Sequence, residues 1–260
     1  MSAKLAAETD STAEGFSVFW QPGCTSCARV KEYLTKQGIP YRSVNVAGDP
    51  GGREELMRLG AKSVPVVARG GTFTFAQSIE DVAKFVGIEA KITRLAPDVL
   101  IERWLAVLEM AEALTRKVPE DKWDHYPVST RDMRFLAFHV FQIAESFLRC
   151  VQDGEEDWVT VSMRPVPADI RNADDIVRYA NGIEDRLRQW WRDLADKSCQ
   201  EFVATYTGVL PLHHFLERQT WHSAQHMRQL AFALNELGVP EVPAVPAELY
   251  AGLPLPDSIW

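Results

Sequence analysis

Four stretches of the chain, residues 95–118, 132–152, 172–196 and 211–237, place apolar residues at the spacing of one helical face. No strand pattern stands out among them. An amphipathic helix has to bury its apolar stripe against another element, and four of them in succession over residues 95–240 can do so against one another. An all-α four-helix bundle is the architecture predicted for this part. Breakers fall between the stretches: Pro119 and Pro127, then RPVPAD at 164–169, then Gly208 and Pro211. Residues 241–260 hold too many prolines for a helix and too many large apolar side chains for full solvation. They are expected to pack, extended, on the bundle surface.

Residues 14–90 have a different texture. FSVFW (16–20) reads as a strand, followed by a Gln-Pro-Gly turn and a helical pattern from Thr25 to Lys36 that stops at Gly38. YRSVNVA (41–47) alternates as a strand and GREELMRLG (52–60) reads as a short helix. VPVVAR (64–69) and GTFTFA (71–76) make a hairpin around Gly70, and SIEDVAKFVG (78–87) is a helix capped by Ser78. The order βαβαββα predicts a small sheet with helices on both faces. Two domains are in keeping with a length of 260 residues. Residues 1–13 are read as a mobile polar tail without the apolar core of a secretory signal, so the expected location is cytoplasmic.

Charge is unevenly divided. Residues 1–95 carry 12 Lys+Arg against 10 Asp+Glu, whereas residues 96–260 carry 16 against 26. The acidic helical part opposes binding to phosphate backbones, so nucleic acid is not an expected partner. No apolar run reaches the roughly 18 residues of a membrane span, and no membrane association is expected. Four cysteines are too few for a disulfide framework. Cys150 and Cys199 read as ordinary helix residues.

Cys24 and Cys27 stand in a C-x-x-C at the start of the first helix. There the backbone N–H groups and helix dipole favour a thiolate, and a second thiol one turn on can resolve a mixed disulfide. A redox pair is the preferred reading over half of a zinc site, which would need another Cys or His pair when none occurs before His125, and over two inert neighbours. Ser63-Val64-Pro65 adds a proline where a strand should begin, which suggests a special peptide geometry. With these features residues 14–90 resemble the glutaredoxin family of the thioredoxin fold. The resemblance implies that Cys24 is the nucleophile, Cys27 the resolving thiol and Pro65 the cis-proline beside them, with the Val64 backbone binding a thiol peptide. It further implies thiol contacts from the turn before the last helix, here Phe75-Ala76-Gln77-Ser78, hence from Gln77 and Ser78. A low-molecular-weight thiol such as glutathione is the implied cofactor.

TWHSAQHMRQL (220–230) sets His222 and His226 one helical turn apart on one face, a spacing that suits two imidazoles on one metal ion, a surface coincidence, or a hydrogen-bonded pair. His139 lies in the strongly apolar FLAFHVFQIAESFL (135–148), either as a satisfied core histidine or as a third ligand. His213 and His214, two to three turns away, read as surface or capping residues. Residues 95–240 resemble the DinB/YfiT-like superfamily of four-helix metal proteins. The matching positions are one histidine midway along the second helix (His139), H-x-x-x-H in the fourth (His222, His226), then Gln229-Leu230 and Leu237-Gly238. DKWDHYP (121–127) resembles the segment that follows the first helix in that superfamily. The resemblance implies a divalent metal, zinc or nickel before iron, on His139, His222 and His226 with coordination positions left open.

Several members of that superfamily are thiol-dependent enzymes in which the metal holds a low-molecular-weight thiol as its thiolate. The expected function is therefore a thiol-dependent redox or transferase enzyme. Thiol–disulfide exchange would occur at the cysteines, and a metal-activated thiol would attack a small electrophile in the bundle. The alternative is a glutaredoxin-type oxidoreductase whose bundle is a metal-binding regulatory or docking module. Partners are a small-molecule thiol and an electrophile or disulfide substrate, with a homodimer through bundle helices also implied. Trp158, Trp190 and Trp191 are read as packing residues, and DGEEDW (153–158) as a solvated loop.

Overall fold

A computed structural model describes residues 15–127, 131–205 and 208–260. The tail expected at residues 1–13 lies outside them. The chain divides into two compact units, the first reaching residue 92 and the second covering residues 93–259. No helix among the described residues is long and apolar enough to cross a membrane.

The first unit runs β1 (Phe16–Trp20), α1 (Thr25–Lys36), β2 (Tyr41–Asn45), α2 (Pro50–Arg58), β3 (Val66–Arg69), β4 (Thr72–Phe75) and α3 (Ile79–Val86). Its sheet has the order β2-β1-β3-β4, parallel between β1 and β2 and antiparallel elsewhere. The period-2 pleat divides the strand residues between two cores. Val18 and Val67 pack with Val30 and Leu34 of α1 and with Ile79 and Val82 of α3. Phe19, Val66 and Ala68 pack on the other face with Val44 and with Leu56 of α2. α2 lies close to the sheet because Gly52 has no side chain: a Cβ there would stand 2.4 Å from Val44 Cγ1. Strand order and helix placement fit a thioredoxin fold. The elements fall where expected, except that β3 starts at Val66 rather than Val64 because the preceding Pro65 has no N–H for a ladder.

The second unit holds four long helices, α4 (Pro97–Thr115), α5 (Met133–Asp153), α7 (Ala173–Asp193) and α8 (Leu212–Glu236), with a short α6 (Trp158–Ser162) between the second and third. α8 packs along both α4 and α5, and α7 closes against both from the other side. Phe147 is the hub of the interior. Its ring meets Trp104 of α4 edge-on at 5.2 Å, Trp190 of α7 edge-on at 4.9 Å and Phe215 of α8 at 5.3 Å. Trp104 Nε1 donates to Ser223 Oγ at 2.9 Å, and Ser223 Oγ donates to the Val140 carbonyl at 3.1 Å, so one hydroxyl links three helices.

Three expectations are corrected. Cys199 is no helix residue but lies between α7 and the next strand, at φ +53°. A hairpin, β5 (Phe202–Thr205) with β6 (Gly208–Pro211), stands before α8 where no strand was expected. Its four-residue arms are too short for a periodic signal, and the pairing appears only once the arms meet. The stretch 153–158 is not wholly solvated, because its last residue, Trp158, opens α6 and is 3% exposed. The C-terminal residues 247–259 lie on the helical unit. Gly252 sits so close to Leu95 that a Cβ would come within 2.8 Å of it, and Leu253 is buried.

Truncating Phe147 to Ala would open a cavity where the α4, α5, α7 and α8 rings meet. The expected loss is about 3–5 kcal/mol of stability in the helical unit, read by urea unfolding followed through tryptophan fluorescence.

Candidate functional site

Two centres emerge, one in each unit. In the first, Cys24 is the N-cap of α1, and its sulfur accepts the Cys27 N–H at 3.2 Å. The Gln-Pro-Gly turn ahead of it is closed by Gly23 at φ +75°, a backbone angle that a Cβ would strain. Cys24 and Cys27 are joined as a disulfide with Cα atoms 5.2 Å apart. Cys24 is half-buried, and Cys27 is 1% exposed. This asymmetry matches a pair in which one sulfur meets the substrate and the other waits behind it.

Sheet register places the other residues predicted for this centre. Phe19 of β1 stands opposite Val66 of β3, which stands opposite Phe75 of β4. The segments following Trp20, preceding Val66 and following Phe75 therefore leave the sheet at one edge. The cysteine turn, the Val64-Pro65 peptide and Ala76-Gln77-Ser78 gather there. Val64-Pro65 is cis, and the Pro65 carbonyl accepts the Ala76 N–H at 2.9 Å, joining two of these segments. Ser78 also caps α3, its Oγ accepting from Asp81 N at 3.3 Å. Lys31 of α1 lies over the Trp20 ring at 3.7 Å and adds a cation on this side of the unit.

In the second unit α5 supplies His139 and α8 supplies His222 and His226, and one ring nitrogen from each lies within 4.8 Å of those of the other two. His139 and His226 are fully buried, and His222 is half-buried. His226 Nε2 and His222 Nε2 are 3.2 Å apart. A tetrahedral site with metal–nitrogen bonds of 2.0–2.1 Å separates its nitrogens by about 3.3 Å. Among the described residues neither ring nitrogen of His139 has a partner at full hydrogen-bond geometry, although the Gln142 side chain and the Ser162 backbone stand near enough to act on the ring. An unpartnered polar group at this depth is costly, so the donor set fits a cation that accepts neutral imidazoles. The triad contains no carboxylate.

Sequence reasoning missed the groups around the triad. Gln229, one turn beyond His226, has its Oε1 at 2.6 Å from His226 Nδ1, which leaves Nε2 facing the other imidazoles. Its Nε2 donates to the Ile259 carbonyl at 2.7 Å, and Gln225 Nε2 donates to the same carbonyl at 2.8 Å. The C-terminal peptide therefore steadies the side chain that orients His226. Arg131 Nη1 is 3.4 Å from His226 Nε2, and its guanidinium lies 5.4 Å from the Phe135 ring, which stacks on His139. Arg218 covers the Trp158 ring at 4.0 Å and reaches to 3.5 Å from His222 Nδ1. Of these, only Gln229 had a sequence signal, as part of the Gln-Leu that follows H-x-x-x-H. His213 is partly exposed, with Nε2 2.7 Å from the Leu95 carbonyl ahead of α4.

Burial holds the three imidazoles neutral. It pushes His139 down to about 3, helped by the Arg131 charge, and carries His222 and His226 well below the ordinary histidine range. The other imidazoles and the guanidinia add to the effect on His222 and His226. Burial likewise lowers Arg131, to about 10, which leaves it charged at neutral pH. Cys150 and Cys199 are pushed up to about 11 by burial and by nearby acidic groups.

Two outcomes follow. After reduction, iodoacetamide at neutral pH is expected to label Cys24 and leave Cys150 and Cys199 unmodified, as read by peptide mass spectrometry. Because the folded-state value of His139 lies below its unfolded value, the unfolded chain takes up protons first as pH falls. Stability is complete above about pH 6.5 and is lost below it, by roughly 2 kcal/mol at pH 5 from His139 alone. Chelator-treated protein should show this drop in thermal unfolding between pH 7 and pH 5, and His139→Leu should reduce it.

A family model described as Glutaredoxin matches residues 16–74. The "uncharacterized glutaredoxin-like 8.6 kDa protein in rubredoxin operon" of Clostridium pasteurianum is 33% identical over 70 residues, which are 26% of this chain and 93% of that protein. No solved structure gives a significant match. The matched residues include both cysteines and Val64-Pro65 but none of the three histidines. Through its first domain, the chain belongs to the glutaredoxin family.

Proposed function

We propose that the chain is a thiol-dependent enzyme with two working centres: a thiol–disulfide exchange site at Cys24 and Cys27, and a metal site on His139, His222 and His226 in a four-helix bundle of the DinB/YfiT-like type. The exchange follows from the cysteine geometry. The Cys24 thiolate, favoured by the Cys27 N–H and the start of α1, attacks one sulfur of a substrate disulfide, forming a mixed disulfide and releasing one thiolate. Cys27 then attacks the Cys24 sulfur, the second thiol leaves, and the protein disulfide remains. The substrate gains two electrons and the dithiol loses two. Two molecules of a low-molecular-weight thiol such as glutathione restore the dithiol and leave as their own disulfide. Val64, Gln77 and Ser78, at the sheet edge that carries Pro65, are the groups proposed to bind that thiol.

In the bundle, the chain contributes three neutral imidazoles, one held in orientation by Gln229, in an interior that excludes water. Zinc or nickel, or else iron, is the cation proposed there. When bound, a divalent cation supplies Lewis acidity that lowers the pKa of a coordinating thiol and readies it for a small electrophile. The observation that carries this reading is the convergence of one ring nitrogen from each of His139, His222 and His226 to within 4.8 Å of one another, in a place where His139 is fully buried. The proposed setting is cytoplasmic, with small-molecule partners rather than nucleic acid or membrane.

Metal content of the purified protein and conjugation of a model electrophile with several thiols test the proposal. One equivalent of metal is expected in the wild type and little in His139→Ala or His222→Ala, with conjugation lost alongside. Gln229→Ala should weaken metal affinity by about 10–100-fold. Metal-loaded protein without any conjugation would leave the disulfide oxidoreductase with a metal-binding regulatory or docking bundle as the surviving reading, and protein that takes up no metal would overturn the metal site in both.

A further inference from the structure

The three imidazoles bring no negative charge of their own to the triad. Three neutral imidazoles would leave the full charge of a divalent cation uncompensated, and among the described residues no carboxylate joins them. Arg131 adds a positive charge that bears on all three histidines, and Arg218 adds a second beside His222. Among the described residues Arg131 is paired with no carboxylate. Its contacts are the His226 nitrogen and the Phe135 ring. Such a cluster in a poorly solvated interior calls for anions.

The position of Arg131 says where an anion would lie. His226 Nε2 has one lone pair, so it can accept from the Arg131 guanidinium or bind a cation, but not both. A cation held by the triad would take the lone pair from that hydrogen bond and free the guanidinium, which lies 5.4 Å from the Phe135 ring, for another acceptor. A freed planar guanidinium matches a carboxylate through two parallel hydrogen bonds. Because Nη1 starts 3.4 Å from a ligand nitrogen, the carboxylate has to sit within a few bonds of whatever atom reaches the cation.

We infer that Arg131 is a specificity residue that selects, for the histidine centre, a thiol bearing a carboxylate a short spacer away from its sulfur. This rests on the metal reading above and narrows it to a substrate class. A thiol lacking the carboxylate would leave the guanidinium buried and unpaired, and so would bind more weakly.

The test uses full-length protein carrying Cys24→Ser and Cys27→Ser, so that added thiols are not consumed by the disulfide, loaded with cobalt(II). Thiolate-to-cobalt absorption is followed during titration with 3-mercaptopropionate, with 2-mercaptoethanol and, as a control without sulfur, with propionate. The expected result is at least ten-fold tighter binding of 3-mercaptopropionate than of 2-mercaptoethanol, with no charge-transfer band from propionate. In Arg131→Met cobalt still binds, while the preference for 3-mercaptopropionate over 2-mercaptoethanol vanishes. Arg131→Lys, which keeps the charge but not the planar fork, should give an intermediate preference and decides the matter if the Met variant does not fold. Equal affinities in the starting protein, or a preference that survives both substitutions, would overturn the inference while leaving the metal centre standing. Failure of cobalt to bind the starting protein would instead overturn the metal reading and this inference with it.

Discussion

The packing of α5 against α8 is the contact on which the rest of the helical unit depends. Ser223 pins it: its hydroxyl takes the Trp104 indole proton and donates to the Val140 carbonyl. Ser223 follows His222 and Val140 follows His139, so this hydrogen-bond pair sets the register of the two helices within one residue of the imidazoles on each. Phe147, two turns further along α5, fixes the same helices from the interior through the rings of Trp104, Trp190 and Phe215. A slip of one residue along α8 would rotate its two histidines by about 100° and break up the cluster. The aromatic core and the site are thus products of one interface.

Enclosure gives the triad its chemistry. Burial keeps the imidazoles neutral, which is the form that donates a lone pair, and the nearby guanidinia reinforce this by opposing protonation. The same guanidinia make the surroundings electropositive, so the groups that keep the nitrogens free also favour an anionic visitor. Gln229 ties this environment to the end of the chain, because the amide that orients His226 is itself held by the Ile259 carbonyl. The C-terminal peptide is therefore part of the support of the site as well as a cover for α8.

The cysteine centre follows a simpler logic. Its parts lie on three segments that leave the sheet at one edge, gathered by the pairing of Phe19 with Val66 and of Val66 with Phe75. Cys24 is at once the cap of α1 and the more accessible sulfur, so the turn that ends the strand sets this sulfur at the start of a helix, against the Cys27 N–H. The first unit was legible almost throughout, since each strand and helix announces itself by local periodicity, and C-x-x-C and Val-Pro are short-range patterns. The hairpin β5–β6 was not legible, because four-residue arms carry too few residues for a period and gain their stability only by pairing. The acidic stretch 153–158 was read as solvated as a whole, whereas Trp158 at its end packs as expected of that residue, with the Arg218 guanidinium above its ring and Phe215 beside it.

By itself the sequence determined what depends on neighbours along the chain: the alternation of strands and helices to residue 87, the amphipathic helices after residue 95, the two thiols at a helix start, and two histidines one turn apart on a common face. Tertiary structure decided what depends on groups far apart in sequence. It brought His139 of α5 to the pair on α8, set Arg131 against His226 from the segment before α5, and folded Ile259 back onto Gln229. None of these meetings leaves a periodic trace, because each is settled by how side chains from different helices interlock. The kinds of chemistry available were therefore written locally, while the partners and the charge environment of the histidine site came from packing.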